Sequence, residues 1–327
     1  MNQKICLALC TYNGERFLQE QLDSIASQTR LPDLLVTVDD KSSDNTVKII
    51  ESFAKKSPFP VKNFVNDRNL GFIKNFQKAV MMCEGEIIVL VDQDDFWVSE
   101  KLQIIEKYFN EDPLIDMVFS DAYVVDEKLN SLGYSLWESV GINRSKQELF
   151  ENNKQFEAFL KEIFLTGATM AFRSKYRDKL LPFTEDWNHD SWIYGIIAVN
   201  GRIRPIPEKL IFYRQHNSNT IGIGAPFKKN LLNPKTSFSR HQQARSFDKL
   251  YHNIYTIFRD ELLSRKLLEA NDKKLLLLEE KIQHSLVLSN LPDNKFARII
   301  PILKSLLEGK YHRYSSGIRT AIKDLLL

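Results

Sequence analysis

The chain reads as an α/β protein, a three-layer sandwich with a mainly parallel central sheet, continued by an all-helical region at its C-terminal end. Three observations predict this. Short apolar runs alternate with segments of helical period through the first 125 residues. The most hydrophobic run, residues 87–91, is apolar at every position, as a strand covered on both faces must be. From residue 237 strand signals cease and helical spacing continues to the end.

Each element follows from its own pattern. Residues 5–9 form a short apolar run, hence a buried strand. Residues 14–27 place Phe17, Leu18, Leu22 and Ile25 at helical spacing. Residues 34–38 are a second strand, and 44–55 a second helix with Asp44 as N-cap. Residues 61–65 and 71–82 repeat the strand–helix pair, and 87–91 is a central strand. Residues 99–109 are a helix with Ser99 capping it and Pro113 past its end, and 117–125 is another strand. This β-α order requires crossover connections and a parallel sheet. Residues 126–160 are more polar and carry weaker signals. Then 166–172 reads as a strand, 190–199 as a helix and 204–213 as strand pieces around Pro205 and Pro207. A glycine- and proline-bearing stretch, 222–234, precedes helices broken at Leu291-Pro292 and near Gly309. The division is a domain over 1–225, with halves 1–125 and 126–225, and a helical region over 236–327.

Composition excludes several classes. With 327 residues, 43% hydrophobic and 27% charged, the chain is neither disordered, collagenous nor a disulfide scaffold. Three cysteines, Cys6, Cys10 and Cys83, fit a reducing, cytoplasmic compartment. The longest aliphatic runs are about five residues, against roughly 20 for a spanning helix. The opening apolar stretch is too short for a signal peptide. The net charge of +3 hides an asymmetry: residues 228–327 hold 19 Lys/Arg and 10 Asp/Glu, whereas 1–227 hold 26 and 32.

Ligands of parallel α/β sheets sit at the carboxyl ends of the strands. Cys10-Thr11-Tyr12-Asn13-Gly14 follows the first strand, Asp39-Asp40-Lys41-Ser42-Ser43-Asp44 the second, Asn66 to Gly71 the third and Asp92-Gln93-Asp94-Asp95 the fourth. Three carboxylates within four residues repel one another unless a cation sits among them, and a hard divalent ion takes such oxygens together with substrate phosphates. Asp95 alone reads as a cap on the next turn. Asp39-Asp40 suits either a base or ribose partner or turn chemistry. Neither a G-x-G-x-x-G after the first strand nor a P-loop is present.

These motifs, together with Asn69-Leu70-Gly71 followed by Lys74-Asn75 and with Phe96-Trp97 after the acidic cluster, resemble a family 2 glycosyltransferase of the GT-A fold. The similarity covers about residues 3–220 and is strongest to the bacterial branch often labelled rhamnosyltransferase-like. It implies inverting transfer from a nucleotide-diphospho-sugar, UDP- or dTDP-linked, with Mn²⁺ or Mg²⁺. Its acceptor would be a glycan or a lipid- or protein-linked glycan of the bacterial surface. By resemblance Tyr12 packs on the nucleobase beside Cys10, Thr11 and Asn13, and Asp40 bonds the base. Lys74 lies near the base or diphosphate, Asp92 binds ribose or a metal-bound water, and Asp94 binds the metal. Lys41 stands where the family often has glycine. A catalytically silent sugar-nucleotide-binding subunit of the same fold is the alternative.

The second half supplies acceptor chemistry. Thr166-Gly167 leads into a strand, and in the family this element lies beside the acceptor. Trp187-Asn188-His189-Asp190-Ser191-Trp192 opens a helix. Displacement at an anomeric carbon needs a base for the acceptor hydroxyl. The family gives that role to the acid of such a pair, here Asp190, which otherwise is an N-cap. Trp187 and Trp192 offer surfaces that suit sugars, with His189 beside them. Tyr213-Arg214-Gln215-His216 looks like the family's Y-R-x-H ending, with His216 on the metal and Arg214 facing the diphosphate. The basic helical tail packs on the catalytic domain or on a second subunit as a homo-oligomer, or it makes peripheral contact with an anionic membrane at the inner face of the cell membrane. No nucleic-acid motif accompanies its charge.

Overall fold

The computed structural model describes residues 3–217, 219 and 237–326. The glycine- and proline-bearing stretch at 222–234 and the domain edges read at 225 and 236 lie outside the described residues. The chain forms two compact units. One runs to Asn153 and resumes at Phe164; the other joins Lys154–Ile163 to the C-terminal helices. The sequence division keeps 154–163 in the first domain, whereas its contacts belong to the second unit: the Tyr255 hydroxyl donates to the Phe159 carbonyl at 2.9 Å, and Phe258 packs on the Phe159 ring.

The first unit alternates as its hydrophobic pattern requires. In order come β1 (Ile5–Thr11), α1 (Leu18–Ala26), β2 (Leu34–Asp39), α2 (Thr46–Ala54), β3 (Val61–Val65), α3 (Phe72–Met82), β4 (Ile87–Val91), β5 (Phe96–Trp97) and α4 (Lys101–Glu111). Then follow β6 (Ile115–Val125), β7 (Ser131–Ser135), α5 (Leu136–Val140), α6 (Arg144–Glu151), β8 (Met170–Arg173), α8 (Arg177–Leu180), α9 (His189–Asn200) and β9 (Arg202–Arg214); α7 (Gln155–Lys161) belongs to the second unit. The sheet order is β3-β2-β1-β4-β8-β6-β9-β5, with β7 beside β6. Strands β3, β2, β1 and β4 are mutually parallel, β8 is antiparallel to both its neighbours, and β9 is parallel to β6. Every residue of β1 and β4 is buried, which explains their unbroken apolar runs. Strand β1 pairs with β2 on one side and β4 on the other, so the connections leave in opposite directions there. That switch opens a crevice at the carboxyl ends of β1 and β4.

Local readings shift in three places. Asn45, not Asp44, is the N-cap position of α2, although the Asp44 carboxylate still accepts from the Thr46 amide and hydroxyl. Ser99 does not cap α4; its hydroxyl donates to Glu100 Oε2. Residues 166–172 are not one strand: Gly167–Thr169 form a 3-10 turn before β8.

The second unit comprises α7, α10 (Ser237–Ser264), α11 (Lys273–Ser289), α12 (Lys295–Leu307), α13 (Lys310–Tyr314) and α14 (Ile318–Leu326). Its interior holds unusual polar groups. Lys281 Nζ donates to the Tyr314 carbonyl at 3.0 Å, and Arg298 donates to the carbonyls of Pro292, Asp293 and Asp324. His284 is buried, with Nδ1 2.9 Å from the Ser305 hydroxyl and no partner at Nε2 among the described residues. Burial, aided by the charges of Lys281 and Lys310, lowers its pKa to about 3.

A stability prediction follows from that histidine. Unfolded imidazole takes a proton near pH 6.5, while the folded one stays neutral to about pH 3. The stabilisation is therefore complete above about pH 6.5 and is lost as pH falls below it. Urea unfolding followed by circular dichroism at about pH 7 and pH 5 should show a larger acid loss in the native chain than in His284→Gln, by about 2 kcal/mol. Equal losses in both would remove His284 as the cause.

Candidate active site

The loops at the carboxyl edge of the sheet are held by side chains committed to one another. Thr11, the last residue of β1, is buried and its hydroxyl donates to Asp39 Oδ2 at 2.8 Å. Asp39 also accepts from the Ser42 amide and hydroxyl, the turn role among its two readings. Asn13 has φ +47°; its amide donates to the Ser42 hydroxyl and its side-chain oxygen accepts from the Ser43 amide. Lys41 has φ +67°, the left-handed conformation for which glycine is the usual solution. Cys10 is buried, and burial together with Asp92 and Asp40 pushes its thiol pKa well up. Of the four residues read as flanking a nucleobase, only Tyr12 offers a broad open side chain, 47% exposed.

Gln93 ties this loop to the acidic one. Its Oε1 accepts from the Tyr12 amide at 2.9 Å and its Nε2 donates to the Tyr12 carbonyl at 3.0 Å, a two-point clamp across the crevice. Gly14 is required by the clamp, since a Cβ there would lie 2.2 Å from Gln93 Oε1. Asp40 departs from its expected role. It is 2% exposed, and its oxygens accept from Asn66 Nδ2 and from the Leu70 and Gly71 amides, each at 2.8 Å. The direct bond to a base is thus corrected to shaping the loop between β3 and α3. Lys74, in the first turn of α3, is exposed and pairs with Glu185 at 2.8 Å.

The carboxylates of the fourth loop separate into distinct roles. Asp94 Oδ2 lies 2.8 Å from His216 Nε2 and 3.2 Å from Asn219 Nδ2. Asp95 is buried; Oδ1 accepts from the Arg214 amide and Oδ2 has no partner among the described residues. It ties the loop to β9 and caps no turn: the N-cap position of the following helix is Glu100. Burial, then the charges of Asp94 and Asp190, raises the Asp92 pKa to about 7, with Lys101 opposing. Arg214 is corrected too. Its guanidinium is 1% exposed, donating from Nε to the Asp94 carbonyl at 2.8 Å, from one Nη to the Glu127 carbonyl and from the other to Glu20 at 2.6 Å, over the Phe17 ring. It braces the loop and does not face a diphosphate.

Residues from the second half of the sheet converge here. Asp190 is the second residue of α9, whose N-cap position is Asn188, so it is not an N-cap. Its Oδ1 accepts from the Ser191 amide at 2.7 Å and its Oδ2 from the Gly167 amide at 3.3 Å. Gly167 lies so close that a Cβ would sit 3.0 Å from His189 Nε2. The adjacent Thr166 carbonyl closes the 3-10 turn by accepting from the Thr169 amide and hydroxyl. His189 is buried, stacked on Phe76 at 3.8 Å, and burial lowers its pKa. Neither ring nitrogen has a hydrogen-bond partner among the described residues. Trp187 and Trp192 are corrected: both are buried, packed edge to face, and Trp192 Nε1 donates to the Leu180 carbonyl. Residues 192–199 of α9 are all buried, so Trp192 is a core side chain and no sugar platform.

Sequence reasoning missed Gln93 and Lys101. Lys101 is fully buried at the start of α4, its ammonium 3.0 Å from the Ala168 carbonyl and 3.7 Å above the Trp97 ring. Burial lowers its pKa to about 7 against the pull of Asp95 and Asp92. The signal was its register: Lys101 shares the stripe of Leu102, Ile105 and Phe109. For a cation, Asp94 and His216 present a carboxylate and an imidazole together. Among the described residues no group of three or more His, Cys, Asp or Glu side chains is placed to hold a metal ion. Remaining ligands would have to come from phosphate and water.

Comparison with known proteins adds the following. The family Glycosyl transferase family 2 matches residues 6–181. The chain is 26% identical over 213 residues to an uncharacterized protein of Mycobacterium tuberculosis, spanning 63% of this chain and 57% of that relative's length. It is 25% identical over 233 residues to the dTDP-rhamnosyl transferase RfbG of Shigella flexneri, 67% of this chain and 75% of RfbG. Among solved structures it resembles Staphylococcus aureus TarS 1-349 in complex with UDP-GlcNAc (TM-score 0.57, 18% identity, 93% of this chain and 80% of that one). It also resembles the Pyrobaculum calidifontis mannosyltransferase PcManGT in complex with GDP-Man and Mn²⁺ (TM-score 0.51, 16% identity, 95% and 76%). The fold is GT-A, with helices added at the C-terminal end.

Lys101 gives a direct test of the site's construction. Lys101→Met keeps the apolar stem but leaves the Ala168 carbonyl without its donor and Asp92 and Asp95 without their counter-charge. Urea unfolding should show a loss of about 3 kcal/mol, the usual result of removing one partner from a buried charge cluster. A change below about 1 kcal/mol would mean that the ammonium does not balance the cluster.

Proposed function

The chain belongs to glycosyl transferase family 2, and we propose that it is an inverting, metal-dependent transferase. It would move a sugar from a nucleotide-diphospho donor to a hydroxyl acceptor. The observation that carries this reading is the meeting of Asp190 and Gly167, from the later motifs, with Asp92 and Asp94 at one edge of the sheet. A donor-side acidic cluster and an acceptor-side carboxylate are the two parts that such a displacement needs.

In this reading the Asp190 carboxylate is the base. Two backbone N–H groups hold it in the first turn of α9, where the helix dipole favours its charge. It takes the acceptor hydroxyl proton as the new bond forms at the anomeric carbon and the bond to the diphosphate oxygen breaks. Attack from the face opposite the leaving group inverts the anomeric centre. Tyr12 packs on the nucleobase, and Asp92 faces the ribose side of the donor. Asp94 and His216 fit a divalent ion, Mn²⁺ or Mg²⁺, which when bound neutralises the diphosphate leaving group. Arg214 and Asp40 position these loops. His189 lies against Gly167 and Asp190 on the acceptor side.

The similarity to a dTDP-rhamnosyl transferase, RfbG, and to TarS in complex with UDP-GlcNAc supports a UDP- or dTDP-sugar as donor; the acceptor proposed is a bacterial surface glycan or glycoconjugate. Manganese in the PcManGT complex supports the metal. The chain spans 57% of the length of the mycobacterial relative it matches.

The test is Asp190→Asn, assayed for transfer from UDP-, dTDP- and GDP-sugars and for binding of the free nucleoside diphosphates by calorimetry. Transfer should fall by about a thousandfold while nucleotide affinity stays within about threefold. A fully active variant would transfer the base role elsewhere.

A further inference from the structure

We propose that the outer face of α12 and α14 in the second unit is a docking surface for an anionic phospholipid bilayer. Helices of a globular protein turn their apolar stripe inward. In α12 the buried positions are Arg298, Ile302 and Ser305, while Phe296, Ile299, Ile300, Leu303 and Leu307 point outward. Their spacing of three and four residues puts these five on one face. Phe296 is 83% exposed, Ile300 76% and Leu307 89%, so the most outward part of the helix is its most hydrophobic.

The neighbouring helix repeats the inversion. In α14, Ile318, Ile322 and Leu326 are exposed at four-residue spacing, and the buried positions are Ala321 and Asp324. The two helices are fastened together by Arg298 Nη1 donating to the Asp324 carbonyl and Lys295 Nζ donating to the Leu326 carbonyl. The chain therefore holds two outward apolar stripes on adjacent helices.

Charge selects the occupant. Residues 295–327 carry seven Lys/Arg and two Asp/Glu. Lys304, Arg319 and Lys323 are exposed on these same helices and make no ion pair among the described residues. An apolar strip bordered by basic side chains matches a bilayer surface, whose acyl boundary takes the aliphatic groups and whose anionic headgroups take the ammonium and guanidinium groups. A second copy of this chain would bring the same positive border against itself. No described helix is long and apolar enough to cross a membrane, so the surface would lie at the interface and not span it.

The full-length chain should co-float with vesicles of phosphatidylcholine and phosphatidylglycerol and far less with phosphatidylcholine alone. The double variant Ile300→Ser/Leu307→Ser changes two exposed side chains, and circular dichroism checks that it stays folded. It should reduce partitioning to anionic vesicles by at least about tenfold. Lys304→Glu/Arg319→Glu should do the same while retaining the apolar strip. Three results would overturn the proposal. One is equal binding of native and variant chains. Another is no binding by a monomeric native chain. The third is a concentration-dependent oligomer that Ile300→Ser/Leu307→Ser dissociates, which would make the face a self-association surface. The sugar-transfer assay is independent of each result.

Discussion

Four carboxylates, Asp92, Asp94, Asp95 and Asp190, stand at one edge of the sheet; Asp95 is buried and the other three half-buried, and Asp92 feels the charges of Asp94 and Asp190. Burial first, and then the like charges of Asp94 and Asp190, raise the proton affinity of Asp92. Lys101 supplies a counter-charge from beneath, and Arg214 fastens the loop from its backbone side. At Asp94 the His216 imidazole and the Asn219 amide stand against Oδ2. The divalent cation proposed above, with the phosphates it accompanies, would offset this imbalance.

The scaffold serves this arrangement. The switch between β1 and β4 opens the crevice, and Gln93 bridges it by pairing with both backbone groups of Tyr12. Glycine at position 14 gives that amide its room, and glycine at 167 lets the 3-10 turn approach His189 and Asp190. Lys101 joins the two halves directly, since one ammonium lies under the acidic loop and donates to the Ala168 carbonyl of that turn. The acidic loop and the 3-10 turn are therefore not independent inserts; they share a buried partner.

Strands β1 to β4, β6, β8 and β9 and the loops that carry polar groups were legible because hydrophobic period and loop chemistry are local signals; the short β5 and the mostly exposed β7 carry no such pattern and were missed. Side-chain direction was not. Trp187 and Trp192 looked like sugar platforms beside Asp190, yet α9 is covered on all sides and takes them into its packing. Arg214 looked like a phosphate ligand, but its partner Glu20 lies 194 residues away, a separation no local pattern encodes. Asp40 likewise turns toward Asn66 and Gly71 across a crossover. In the tail, leucine and isoleucine spacing announced helices, while which stripes face inward was fixed only by packing. The net charge of the chain concealed both ends of this division, an acidic edge in one unit and a basic, apolar surface in the other.

The central claim is that Asp94 and His216 together complete the acidic edge by holding a divalent ion. Crystals grown with UDP and Mn²⁺, measured at the manganese absorption edge, test it most directly. The account predicts one anomalous peak in contact with both the Asp94 carboxylate and His216 Nε2, beside the nucleotide phosphates. Bound nucleotide with the manganese peak away from that pair, or with none at the site, would contradict it.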